Sequence, residues 1–77
     1  MDDLRDLFAT NLRRLRHARG LSQDELAAEA EMSRSYLAQI ETGKFHVSLK
    51  IVGKLARALA TEPAEFFRWS TRRDRGA

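Results

Sequence analysis

The chain has 77 residues, 43% of them hydrophobic and 32% charged, with a formal net charge of +3. That is one small domain with a limited apolar core, for which self-association would be a natural aid to stability. It has no cysteine and only two histidines, His17 and His46, so disulfide staples and thiolate metal sites are excluded and no metal or other cofactor is expected. No run approaches the ~20 apolar residues of a membrane span, and the acidic start MDDLRD does not read as a signal peptide. The expectation is a cytoplasmic protein with no membrane partner and no small-molecule ligand.

Leu4, Phe8, Leu12 and Leu15 step by four, four and three, one stripe of a helix. The first helix is predicted from about Asp2 to Arg19, with Gly20 as a left-handed cap. Ser22 caps the second helix and Glu25, three residues on, completes a capping box. Leu26, Ala27 and Ala30 form its inner face, and the small Ala27 stands where the second and third helices should cross. Met32 plugs the turn from inside. Ser33 caps the third helix, whose inward positions are Leu37 and Ile40, and Thr42-Gly43 ends it. Ser48 caps the fourth, with Leu49, Val52, Leu55, Ala56 and Leu59 on its buried stripe. Pro63, a residue favoured in the first helical turn, opens a short fifth helix carrying Phe66, Phe67 and Trp69. Nothing alternates with period two, so the expectation is an all-α domain of five helices over residues 1–69. Residues 70–77 make a basic, disordered tail.

Charge is unevenly spread. Residues 1–20 carry five Arg against three Asp, residues 21–31 carry four acids and no base, and residues 32–57 carry five bases against Glu41 alone. Cationic segments flanking an acidic helix suit a protein with one anion-facing side, and an ordinary solvated surface has the same appearance. An enzyme is not expected. Asp24, Glu25 and Glu29 cluster at the start of the second helix, where acids favour the macrodipole. No phosphate-binding glycine loop and no nucleophile with a base is present, and His17 between Arg16 and Arg19 reads as a surface residue.

Leu21–Gly43, LSQDELAAEAEMSRSYLAQIETG, reads as two short amphipathic helices joined by a tight turn, which is the helix-turn-helix pattern. LRRLRHARGLSQDELA, SRSYLAQIETGK, and SLKIVGKLARAL followed by PAEFF together resemble the lambda-repressor-like (Cro and phage repressor, XRE) domains over about Leu7–Phe67. The VSL at Val47–Leu49 is similar to the small controller proteins of restriction–modification systems.

The resemblance implies a sequence-specific transcriptional regulator whose partner is double-stranded DNA, with the second helix across the phosphate backbone and the third in the major groove. It assigns Arg34, Ser35 and Gln39 to base edges. Residues 35 and 39 share one helix face; arginine can fork onto guanine O6 and N7, and glutamine can pair similarly with adenine. Arg34 has a phosphate as its alternative target. The same resemblance gives Gln23, Ser33, Tyr36, Thr42 and Lys44 to the DNA backbone, Ser33 being a cap first and Tyr36 either packing its ring or touching phosphate. It also makes Arg16 and Glu41 an internal ion pair. Arg13 and Arg14 reach the backbone or are simply solvated.

Members of this family usually act as two-fold dimers on half-sites about 34–36 Å apart, and Pro63, Phe66, Phe67 and Trp69 are the expected homodimer interface. The rival reading is a protein-binding module, antitoxin or coactivator, that uses the same aromatic face. Three positions depart from the family pattern. Glu31 stands at a turn that commonly holds glycine, Ala60 stands where glycine follows the fourth helix, and Val47 replaces a common proline.

Overall fold

A computed structural model describes residues 3–69; the expected tail at 70–77 lies outside the described residues. Four α-helices run in the order α1 (Leu4–Ala18), α2 (Gln23–Glu29), α3 (Arg34–Ile40) and α4 (Leu49–Ala58), followed by a 3-10 turn at Pro63–Phe67. Among the described residues there is no strand, and no helix is long and apolar enough to cross a membrane.

Each helix starts on a polar side chain that accepts an otherwise unpaired backbone N–H. Asp3 accepts from Arg5 N, Ser22 from Glu25 N, Ser33 from Tyr36 N and Ser48 from Ile51 N. At Ser22 the capping box is complete, the Glu25 carboxylate accepting from the Ser22 N–H at 2.8 Å. The side-chain hydrogen bond from Arg5, and then its backbone N–H, hold the Asp3 carboxyl below the ordinary range, so this cap stays ionised in mild acid.

Three helices end the same way, with one residue at positive φ and a crossed pair of backbone bonds that satisfies two orphan carbonyls. After α1 the positive-φ residue is Gly20 (φ 69), with Gly20 N–H bonded to His17 O and Leu21 N–H to Arg16 O. After α2 it is Glu31 (φ 57), with Glu31 N–H on Ala28 O and Met32 N–H on Ala27 O. After α4 it is Ala60 (φ 53), with Ala60 N–H on Arg57 O and Thr61 N–H on Ala56 O. The turn geometry is thus kept at both positions where glycine is absent, and the side chains there bear the left-handed strain.

The core joins Phe8 and Leu12 of α1, Leu26 and Ala27 of α2, Leu37 and Ile40 of α3, Val52, Leu55 and Ala56 of α4, and Phe66. Ala30 and Leu59, at the ends of α2 and α4, complete it. Leu15, expected on the α1 stripe, is only partly buried and packs against this cluster, and two further expected members are not in it. Leu4 is 60% exposed and Leu49 is 86% exposed: both keep the apolar register but lie in the first turn of their helices, which runs past the packed neighbours.

The expected fifth helix is only a 3-10 turn, and Trp69 lies beyond it. Asn11, itself buried, donates through Nδ2 to Phe66 O at 2.9 Å and to Arg68 O at 2.8 Å. Asn11 thereby ties the end of the 3-10 turn to α1. Arg14 completes the clamp by donating to Asn11 Oδ1 at 3.1–3.2 Å, so the buried amide is satisfied on both sides.

Candidate nucleic-acid interface

Helices α2 and α3 pack directly on one another through Ala27, whose small side chain is buried within the shared core. The Glu31–Met32 turn sets their crossing, with Met32 half-buried against the core. α3 keeps Leu37 and Ile40 inward and leaves Ser33, Arg34, Ser35 and Gln39 exposed on the other side. The chain therefore brings the three residues assigned to base edges onto one open helix face, at and near an N-terminus that carries no acid in its first turn.

The surrounding groups differ in how free they are. Thr42 donates its hydroxyl to Gln39 O at 2.6 Å and accepts the Lys44 N–H at 3.2 Å. The segment after α3 is thereby folded back, and the exposed Lys44 ammonium is carried beside the helix end. Gly43 in this turn has φ 82, a left-handed conformation that favours glycine, and a Cβ there would lie 2.5 Å from Asp6 Oδ1, so the Asp6 side chain would have to move. Tyr36 is half-buried and its ring meets Phe45 edge-on at 6.0 Å, which anchors the loop between α3 and α4. Ser33 is engaged as the α3 cap.

Behind the face lies a buried polar node. Arg16 grips Glu41 with two parallel bonds, Nε to Oε2 at 2.7 Å and Nη2 to Oε1 at 3.0 Å, and donates Nη1 to Leu21 O at 2.9 Å. Both partners are buried. Gln23 donates Nε2 to the same Glu41 Oε1 at 3.0 Å, so this amide is tied inward as well as standing at the start of α2. Arg13 donates to Glu41 O. The node fixes α1, the start of α2 and the end of α3 relative to one another through charge-assisted bonds.

Two features were not legible as site elements in the sequence, and a third left a signal there. Asp24 lies across from Arg34, its Oδ1 3.2 Å from the guanidinium Nε, where an acid at a helix start had suggested only a dipole effect. Arg13 and Arg14, expected on the DNA backbone or in solvent, make intramolecular bonds to Glu41 O, Asn11 Oδ1 and Glu65 O. Asn11 did leave a signal, since it falls three residues after Phe8 on the inward stripe, where a polar residue must find partners. Among the described residues no group of three His, Asp or Glu side chains could hold a metal ion.

At the aromatic end, Phe66 is fully buried against Phe8, ring centroids 4.8 Å apart. Its proposed place in an interface is therefore corrected: adjacent 3-10 positions point apart, and Phe66 faces the core. Phe67, whose ring lies 5.7 Å from that of Phe8, is 40% exposed and Trp69 is 46% exposed. Pro63 is exposed beside them.

The helix-turn-helix domain family matches residues 7–69. The chain is 32% identical over 71 residues to control protein C.BamHI of Bacillus amyloliquefaciens, covering 91% of this chain and 88% of that protein. It is 35% identical over 68 residues to control protein C.MunI of a Mycoplasma species, covering 87% and 92%. Among solved structures, the restriction–modification controller protein C.AhdI of Aeromonas hydrophila superposes with a TM-score of 0.79 at 46% identity, covering 82% of this chain and 96% of that one. With the match spanning most of its length, this chain is a member of the lambda-repressor-like helix-turn-helix family, akin to the restriction–modification controller proteins.

Proposed function

We propose that the protein is a non-enzymatic transcriptional regulator that binds double-stranded DNA sequence-specifically, with α3 in the major groove, as a homodimer on a pseudo-palindromic site. The observation that carries this reading is the open face of α3. Arg34, Ser35 and Gln39 are exposed together on a helix whose other side is locked into the core, the arrangement that direct readout needs. The likeness to a restriction–modification controller protein supports it.

In this reading Arg34 and Gln39 take base edges, and Ser35 contributes a short hydroxyl. Lys44 meets a phosphate, and Gln23, at the first position of α2, lies toward the DNA backbone. Thr42, Ser33 and Tyr36 hold this surface in shape while lying against the backbone. Phe67, Trp69 and Pro63 form the dimer contact, with Phe66 supporting it from beneath. A cytoplasmic location goes with this role.

Binding of mixed-sequence duplex across a salt series tests the reading. The apparent affinity should fall by about 0.9 log units per log salt for each phosphate neutralised. Selection from randomised duplex should then return a two-fold symmetric site. Absent or salt-insensitive binding would instead favour a protein-binding module.

A further inference from the structure

Arg34 lies beside a carboxylate. Asp24 is the second residue of α2 and Arg34 the first of α3, and the turn at Glu31 brings these two helix starts together, with Asp24 Oδ1 3.2 Å from Arg34 Nε. Both side chains are open to solvent, at 78% and 56%, so this pair is not a device for holding the fold. An exposed pair of this kind has little effect on stability; its consequence falls on what Arg34 does next.

The contact runs through Nε. The two terminal nitrogens of a guanidinium, presented end-on, match the two acceptors on the major-groove edge of guanine. An arginine whose Nε side faces Asp24 leaves its two terminal nitrogens for that bidentate contact. A phosphate makes a different demand. It would draw the whole guanidinium to an oxygen outside the groove and place its own charge near Asp24, at low screening over a distance shorter than the Debye length. Discrimination then comes from a penalty on the wrong ligand as much as from attraction to the right one.

We infer that Asp24 is the positioning residue for Arg34: it orients the guanidinium toward a base edge and disfavours its capture by phosphate, and so sets the ratio of specific to non-specific DNA binding. The inference rests on the reading of α3 as the base-contacting helix. It concerns a residue on α2 that does not itself meet a base.

The test uses the full chain and a duplex obtained by selection from randomised DNA. Asp24→Asn, Arg34→Ala and the double variant are compared with the parent for binding to that duplex and to a scrambled one. Thermal unfolding of each is recorded alongside. Removing the Asp24 charge should raise affinity for the scrambled duplex more than for the selected one, so that discrimination falls about fivefold, the scale of one exposed charge pair. In the Arg34→Ala background the same substitution should leave discrimination unchanged.

Equal loss of discrimination in both backgrounds would show that Asp24 acts independently of Arg34 and would overturn the inference; so would unchanged discrimination in Asp24→Asn alone, the mark of a bulk-charge effect. If Arg34→Ala keeps the full base preference of the parent, the reading of α3 itself has failed and the inference goes with it. Asp24→Glu supplies a further arm. Keeping the charge on a longer stem, it should restore part of the lost discrimination, which a merely structural role for Asp24 would not produce.

Discussion

Glu41 receives Arg16 on both carboxylate oxygens, Gln23 on one of them and Arg13 on its main-chain carbonyl. Removing one partner of such a buried pair leaves the other charge without compensation, which is costlier than never having built the pair. Glu41→Ala or Arg16→Ala should therefore lower unfolding free energy by about 3–5 kcal/mol, read by urea denaturation. Replacing both together should be less damaging than the sum of the two.

The left-handed residues make an opposite case. Glu31 and Ala60 adopt φ of 57 and 53, where a Cβ is penalised by roughly 1–2 kcal/mol, partly offset by the greater chain entropy of an unfolded glycine. Glu31→Gly and Ala60→Gly should each stabilise the fold by about 0.5–1 kcal/mol. Gly43→Ala should destabilise it, since it adds a Cβ against Asp6 to the same backbone strain. A loss of stability in Glu31→Gly would mean that the Glu31 side chain makes a compensating contribution.

At the scale of elements, what was legible follows from locality. Ser22, Ser33 and Ser48 announced three helix starts because a capping bond spans three residues, and Leu26, Leu37 and Leu55 announced buried faces because helical periodicity is local too. The ends of the stripes are not legible, because Leu4 and Leu49 satisfy the period without having anything to pack against, which only the arrangement of the other helices decides.

Pro63 and the aromatics fit a helix as well as they fit the 3-10 turn they form. Its end is tied to Asn11, which lies more than fifty residues earlier in the chain, a contact that no local pattern announces. Family resemblance, not periodicity, pointed to Arg16 and Glu41. The Asp24–Arg34 approach was hidden because it joins two helix starts through the hand of an intervening turn.

Asn11 carries its own expectation. Asn11→Ala leaves the Phe66 carbonyl buried without a donor, an effect worth about 1–3 kcal/mol. Because α1 and the 3-10 turn are packed through this clamp and the Phe8–Phe66 contact, hydrogen exchange should quicken first at residues 63–69, before the α2–α3 pair. Uniform acceleration over the whole chain would show that the clamp is not a local hinge.

For the whole molecule, the face that would read DNA and the aromatic surface are built on different parts of one core, so they can be disturbed separately. Phe67 and Trp69 are both substantially exposed, but Phe67 also packs on Phe8, which makes Trp69 the cleaner probe of self-association. Trp69→Glu places a charge in the proposed contact without opening the core, and its thermal midpoint at low protein concentration should stay close to the parent's.

Sedimentation equilibrium should show the parent as a dimer and the variant as a monomer. On a duplex with two half-sites the variant should lose on the order of 100-fold in affinity, because the second half-site is no longer engaged at high effective concentration. On a duplex with a single half-site the two proteins should bind nearly alike. A variant that remains dimeric would move the interface away from the aromatic end, and equal losses on both duplexes would mean that Trp69 supports the DNA-reading face itself.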